Sequence, residues 1–135
     1  MQVQQCMRTP AVTCSPGAKL VEVARQMEWE DVGSVVVVDD DGGIRGVVTD
    51  RDLAMTIARE LSSTTPVSEA IARPPIVIHD HEDVYDAASK MAAARCRRLP
   101  VVNAAGKLVG VVAIDDVIGA FSHRTETISV GHPAS

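Results

Sequence analysis

Laid on itself with Val12 over Ile76, a shift of 64 residues, the sequence matches itself without a gap from Val12–Ala54 to Ile76–Ile118. Ala24 falls on Ala88, Met27 on Met91, Val37-Val38 on Val101-Val102 and Gly42 on Gly106. Gly46-Val47-Val48 falls on Gly110-Val111-Val112, and Asp52 on Asp116. Apolar character is kept where identity is not, as at Leu20/Val84 and Val35/Leu99. A gapless register of this length means that the chain is two copies of one unit. The copies span 1–61 and 67–121, joined by the polar linker 62–66 and followed by a tail, 122–135, expected to be flexible.

Each copy has the same internal order. A short apolar run (Ala11 to Cys14; Ile76 to Ile78) precedes a polar loop. Leu20, Val23, Ala24 and Met27, and likewise Val84, Ala87, Ala88 and Met91, then recur at i, i+3, i+4 and i+7, the stripe of an amphipathic helix. A β-branched run (Val35 to Val38; Leu99 to Val102) leads into a turn rich in Asp, Asn and Gly, and a return strand follows over Ile44–Thr49 or Leu108–Ala113. A second helix begins near Asp50 and Asp115, whose carboxylates complement the helix dipole. The unit is therefore β-α-β-β-α, and Val3–Met7 and Val67–Ala72 read as a short lead-in helix for each copy. A unit of about 60 residues buries only about 60% of its unfolded surface and is marginal alone. The unalternating Val35–Val38 strand calls for cover on both faces. The expected fold class is α+β, with the two repeats packed about a pseudo-twofold axis.

Composition narrows the possible partners. The net charge of −5 leaves no basic surface of the kind nucleic acid requires, and three aromatic residues do not make a base-stacking platform. No apolar run approaches the 18 or more residues of a membrane span, and Met1–Arg8 lacks the apolar core of a signal peptide. Neither nucleic acid nor membrane is an expected partner. The expected compartment is the cytoplasm, with Cys6, Cys14 and Cys96 as reduced thiols.

The element Gly46-Val47-Val48-Thr49-Asp50-Arg51-Asp52, in this position of a duplicated β-α-β-β-α unit, resembles the CBS domain, and two in tandem resemble a Bateman module. The second copy, Gly110-Val111-Val112-Ala113-Ile114-Asp115-Asp116, keeps Gly and Asp but loses Thr. It alone carries Arg97-Arg98-Leu99-Pro100-Val101, similar to the basic element of nucleotide-binding members; its first-copy counterpart is Gly33-Ser34-Val35-Val36-Val37. The resemblance covers nearly the whole chain and is to the small stand-alone type. It implies an adenosine-containing ligand (AMP, ADP, ATP or S-adenosylmethionine), no catalytic residues, no cofactor, a homodimer, and a separate regulated protein that reads the ligand state. A ligand-free dimerisation or scaffold protein is the alternative.

A carboxylate at a helix start can accept two hydrogen bonds from a ribose diol, which suits Asp52. The Thr49 hydroxyl can reach ribose or phosphate, and Gly46 permits a close backbone approach. The same Thr-x-x-Asp spacing also makes a helix-capping box, and one residue can do both. Arg97 and Arg98 suit phosphate through bidentate guanidinium bonding, the alternative being a solvated pair facing Asp or Glu. In the family the ribose motif of one copy faces the basic element of the other, which implies one competent site from Thr49, Asp52, Arg97 and Arg98. The degraded counterpart would retain Asp116 beside Ala113, Gly33 and Ser34. Val12, Ile76 and Pro100 are expected to line the base.

Other features have simpler readings. His79-Asp80-His81-Glu82-Asp83 looks like a metal cluster, but adjacent residues on one loop rarely converge on one ion, and no metal site is expected. His123 and His132 fall in the tail. Cys14 is read as a buried thiol rather than a redox centre, and Trp29 as packing or an interface anchor. Met55 and Ile118, apolar on the second helices, are candidates for the dimer contact.

Overall fold

The computed structural model describes residues 1–128. They form two compact units, one of Pro10–Val77 and one of Met1–Thr9 with the chain from Ile78 onward.

In the Pro10–Val77 unit, β1 (Thr13–Cys14), α1 (Leu20–Glu30), β2 (Ser34–Val38), β3 (Ile44–Thr49) and α2 (Asp50–Ala58) follow in order. The sheet order is β1-β2-β3, with β1 parallel to β2 and β2 antiparallel to β3. The other unit repeats this with β4 (Ile78–His79), α3 (Val84–Ala94), β5 (Arg98–Val102), β6 (Leu108–Ala113) and α4 (Ile114–Ile128). The β-α-β-β-α order of each copy is the expected one. Both hairpins turn on a glycine at positive φ, Gly42 (86°) and Gly106 (78°), whose amides donate to Asp39 and Asn103 carbonyls at 2.9 Å. A side chain there would be strained, which explains why the two copies share this glycine.

The core of the Pro10–Val77 unit joins Leu20, Val23 and Met27 of α1 to Val35, Val37 and Val48 of the sheet. Val67 and Ala70, from a 3-10 turn over Val67–Ala70, close it. Val36 points to the opposite face by strand alternation and is fully buried as well, as an unalternating strand requires. Ala24 departs from the expected helical stripe: it is exposed, and Ala88 is only half-buried. A three-stranded sheet offers one helix a narrow strip, which the i, i+3 and i+7 positions fill.

The compact units do not coincide with the sequence repeats. Met1–Thr9 packs with the second repeat: the Val3 amide donates to the Glu82 carbonyl at 2.8 Å and the Val84 amide to the Met1 carbonyl at 3.0 Å. Arg8 and Val111 exchange backbone bonds at 2.8 and 3.0 Å. Conversely, the Val67 amide bonds the Ala18 carbonyl at 2.7 Å, so the second lead-in packs with the first repeat. The lead-ins themselves are 3-10 turns, Val3–Gln5 and Val67–Ala70, shorter than the sequence implied. Helix α4 continues through residue 128; residues 129–135 lie outside the described part, as do the side chain of His123 and all of His132.

Candidate functional site

Strand β3 ends at Thr49, and α2 starts at the next residue, so Thr49 is the N-cap and Asp52 the third helical residue. The Asp52 amide donates to Thr49 Oγ1 at 3.1 Å. In return Asp52 Oδ2 accepts the Thr49 amide at 2.8 Å and the Thr49 hydroxyl at 3.0 Å. This is the capping box, and it fixes the carboxylate in a helix N-terminal turn that favours negative charge. Asp52 Oδ1 accepts no hydrogen bond from any described residue. A half-buried carboxylate held by one oxygen has the other available for hydroxyl donors.

The equivalent corner of the other unit is built differently. Asp116 Oδ2 accepts the Ala113 amide at 2.9 Å, but Ala113 has no hydroxyl to add. Asp116 Oδ1 is taken by the Arg8 guanidinium, whose Nε lies 3.4 Å away. Arg8 was not among the residues that sequence reasoning singled out. Its counterpart under the repeat shift is Ala72, so the signal was a charge present in one copy only.

Arg98 opens β5, half-buried, and its side chain makes no ion pair among the described residues. Arg97, just before the strand, faces Asp115 at 3.8 Å with both side chains exposed, a weak pair of the solvated kind. Pro100 is buried in β5 opposite Val111. Val12 is half-buried against the core, its carbonyl accepting the Val36 amide at 2.9 Å, and Ile76 is half-buried near the end of the same unit. Thr49 and Asp52 are thus brought together by direct bonds, in the unit that also holds Val12 and Ile76. Arg97, Arg98, Pro100 and Asp116 belong to the other unit.

The close approach at Gly46 is made by the protein itself: a Cβ there would lie 2.8 Å from Ile71 Cγ2. At Gly110 a Cβ would lie 2.6 Å from the Arg8 carbonyl oxygen. Both glycines therefore seat a lead-in segment.

Glu82 organises the histidine-rich turn. Its carboxylate accepts the His79 amide at 2.8 Å and lies 3.5 Å from His79 Nδ1 and 3.8 Å from Lys90. The His79 backbone bond leads in holding this carboxyl below its ordinary range, against a smaller opposing push from burial. Among the described residues, no three His, Cys, Asp or Glu side chains converge to hold a metal ion. Burial pushes the Cys14 thiol up to about 11, which keeps it protonated at neutral pH.

The CBS domain family model matches residues 3–59 and again residues 62–123. The chain belongs to the CBS domain family. Among relatives of this CBS pair is the CBS domain-containing protein YhcV of Bacillus subtilis, 36% identical over 116 residues, 85% of this chain and 81% of YhcV. The uncharacterized protein MK0525 of Methanopyrus kandleri is 29% identical over 130 residues, which are 95% of this chain but 66% of MK0525. Inosine-5'-monophosphate dehydrogenase of Mycobacterium tuberculosis is 28% identical over 122 residues, 90% of this chain and only 22% of that enzyme. Among solved structures, the CBS domain protein PAE2072 from Pyrobaculum aerophilum, complexed with AMP, is 31% identical with a TM-score of 0.80, covering 86% of this chain and 89% of that one.

Proposed function

We propose that this CBS pair is a non-catalytic, cytoplasmic regulatory module that binds an adenine nucleotide of the AMP type and passes its bound state to a separate protein. The observation that carries the reading is the Asp52 carboxylate, fixed through Oδ2 by Thr49 with Oδ1 left open at the start of α2. The AMP complex of PAE2072, at 31% identity, supports the ligand class. In this reading Asp52 and Thr49 hold the ribose, Arg98 and Arg97 face the phosphate, and Val12, Ile76 and Pro100 flank the base. Few aromatics are no obstacle, because the base then lies among aliphatic side chains and affinity rests on ribose and phosphate.

Titration calorimetry with AMP on wild type, Asp52→Asn, Arg98→Ala and Asp116→Asn is the test. Asn at position 52 keeps an acceptor for the Thr49 amide, so the cap survives while the charge is lost. Loss of a charge-assisted hydrogen bond costs about 1.5–3 kcal/mol, a roughly ten- to hundredfold weaker affinity for the first two variants. Asp116→Asn should leave AMP affinity close to wild type. Equal losses at positions 52 and 116 would refute the asymmetry.

A second reading, a ligand-free homodimerisation protein, draws on exposed apolar side chains: Trp29 (87% exposed), Ile57 (78%), Ile118 (54%) and Met55 (48%). A thermal-shift series with AMP, ADP, ATP and S-adenosylmethionine separates the two. Hundredfold excess over Kd stabilises a one-site binder by about 2.7 kcal/mol, whereas a scaffold shows no shift with any of the four.

A further inference from the structure

We propose that Arg8 is a built-in competitor for ligand at Asp116, so that the lead-in segment sets how the second ribose position is used. The proposal rests on the adenosine-ligand reading above and extends it to regulation within the unit. Asp52 and Asp116 hold the same place at the start of equivalent helices, and both accept the backbone amide three residues earlier at nearly equal distance, 2.8 and 2.9 Å. They differ in what else compensates the charge. Asp52 has the Thr49 hydroxyl on the same oxygen, and its other oxygen stays open.

Asp116 has no such hydroxyl, and its side chain is only 13% exposed. A carboxylate that far from water needs a further donor, and Arg8 supplies it on Oδ1. That oxygen corresponds to the one that Asp52 leaves open. Arg8 is held there by its backbone, through the paired bonds with Val111, rather than by side-chain packing. Its side chain is 75% exposed, so the guanidinium can leave without disturbing the backbone bonds to Val111. A diol arriving at Asp116 must displace it.

Adenosine is the suitable probe, because it carries the diol and no phosphate that Arg8 could attract. Calorimetry would compare wild type, Arg8→Ala, Arg8→Lys and Arg8→Ala combined with Asp116→Asn, each checked by its melting curve. An ion pair whose arginine is 75% exposed and 3.4 Å away is a weak competitor, so Arg8→Ala should tighten the weaker of two adenosine steps by about two- to fivefold. Arg8→Lys should give a smaller gain, and the double variant should lose the gain altogether. Unchanged adenosine binding in Arg8→Ala, with a lower melting temperature, would make Arg8 a purely structural counter-ion and overturn the proposal alone. Weaker binding in Arg8→Ala would make Arg8 a ligand contact and overturn it too. Absence of adenosine binding in wild type and in Arg8→Ala would overturn this proposal, and absence of AMP binding in wild type would overturn the adenosine-ligand reading as well.

Discussion

Substituting Gly110 by Ala tests whether the lead-in segment is seated on β6 through the Arg8–Val111 bridge. The new Cβ would lie 2.6 Å from the Arg8 carbonyl oxygen, 3.0 Å from Met7 Sδ and 3.1 Å from Thr9 Cγ2. The methionine end can swing aside, but the carbonyl is backbone. It has to retreat by about 0.8 Å before the contact becomes ordinary, and it is the acceptor of the 3.0 Å bond from Val111. Overpacking of this kind costs about 1–3 kcal/mol, and weakening the two Arg8–Val111 bonds adds about 1 kcal/mol. A stiffer unfolded chain returns about 0.4–1 kcal/mol. The net loss is about 1–4 kcal/mol, a fall in melting temperature of roughly 3–18 °C for a chain of this size.

Gly119→Ala is the matched control. It lies within α4, where a Cβ meets nothing within 4 Å, so only helix propensity acts and the change should stabilise by up to about 1 kcal/mol. Circular dichroism melts and urea unfolding of both variants give the answer. The same chemical change should move stability in opposite directions at the two sites. A Gly110→Ala protein melting within 2 °C of wild type would refute the seating of the lead-in on β6.

Two further outcomes follow from titrating groups. The Glu82 carboxyl is held below its ordinary value of 4.5 in the folded chain, so its stabilising effect is full above that value and is lost as pH falls through the lower, folded one. The gap in urea midpoint between wild type and Glu82→Gln should therefore narrow on acidification from pH 6 to pH 3; a constant gap would show that Glu82 does not stabilise through its charge. With Cys6 and Cys96 replaced by Ser, alkylation of Cys14 at pH 8 should run about a hundredfold slower folded than in urea, because burial raises the thiol from 9.0 to about 11. Similar rates in the two states would mean that the Cys14 thiol is open to solvent.

Periodicity made the repeated unit legible. Alternation, helical spacing and turn glycines are local signals, and β3, β6 and the starts of α1 and α3 fall where those signals put them. The exchange of lead-ins was not legible. Each 3-10 turn buries only one or two side chains, Val3 in one and Val67 and Ala70 in the other, too few to show a period. Nor does self-alignment say which copy's sheet a segment joins, since both sheets present the same glycine at the contact. The Thr49–Asp52 box could be read from spacing because its atoms are three residues apart. The Arg8–Asp116 pair could not, because its partners lie 108 residues apart and meet only through the Arg8–Val111 bridge of the folded chain.

The two helix-start carboxylates show how a duplicated unit can change the bonding of one motif residue without changing its fold. Capping asks only that one carboxylate oxygen meet the amide three residues back, and both copies satisfy it at similar distance. The second oxygen is left over from that task, so what bonds it can change without breaking the helix start. In the first copy a threonine hydroxyl adds to the capped oxygen and leaves its neighbour open. In the second, alanine removes that hydroxyl, and an arginine from outside the motif takes the neighbouring oxygen instead. Each carboxylate thus has one donor besides the capping amide, a neutral hydroxyl in the first copy and a guanidinium in the second. A motif read by itself would record only the loss, and would miss that the position is filled rather than vacant.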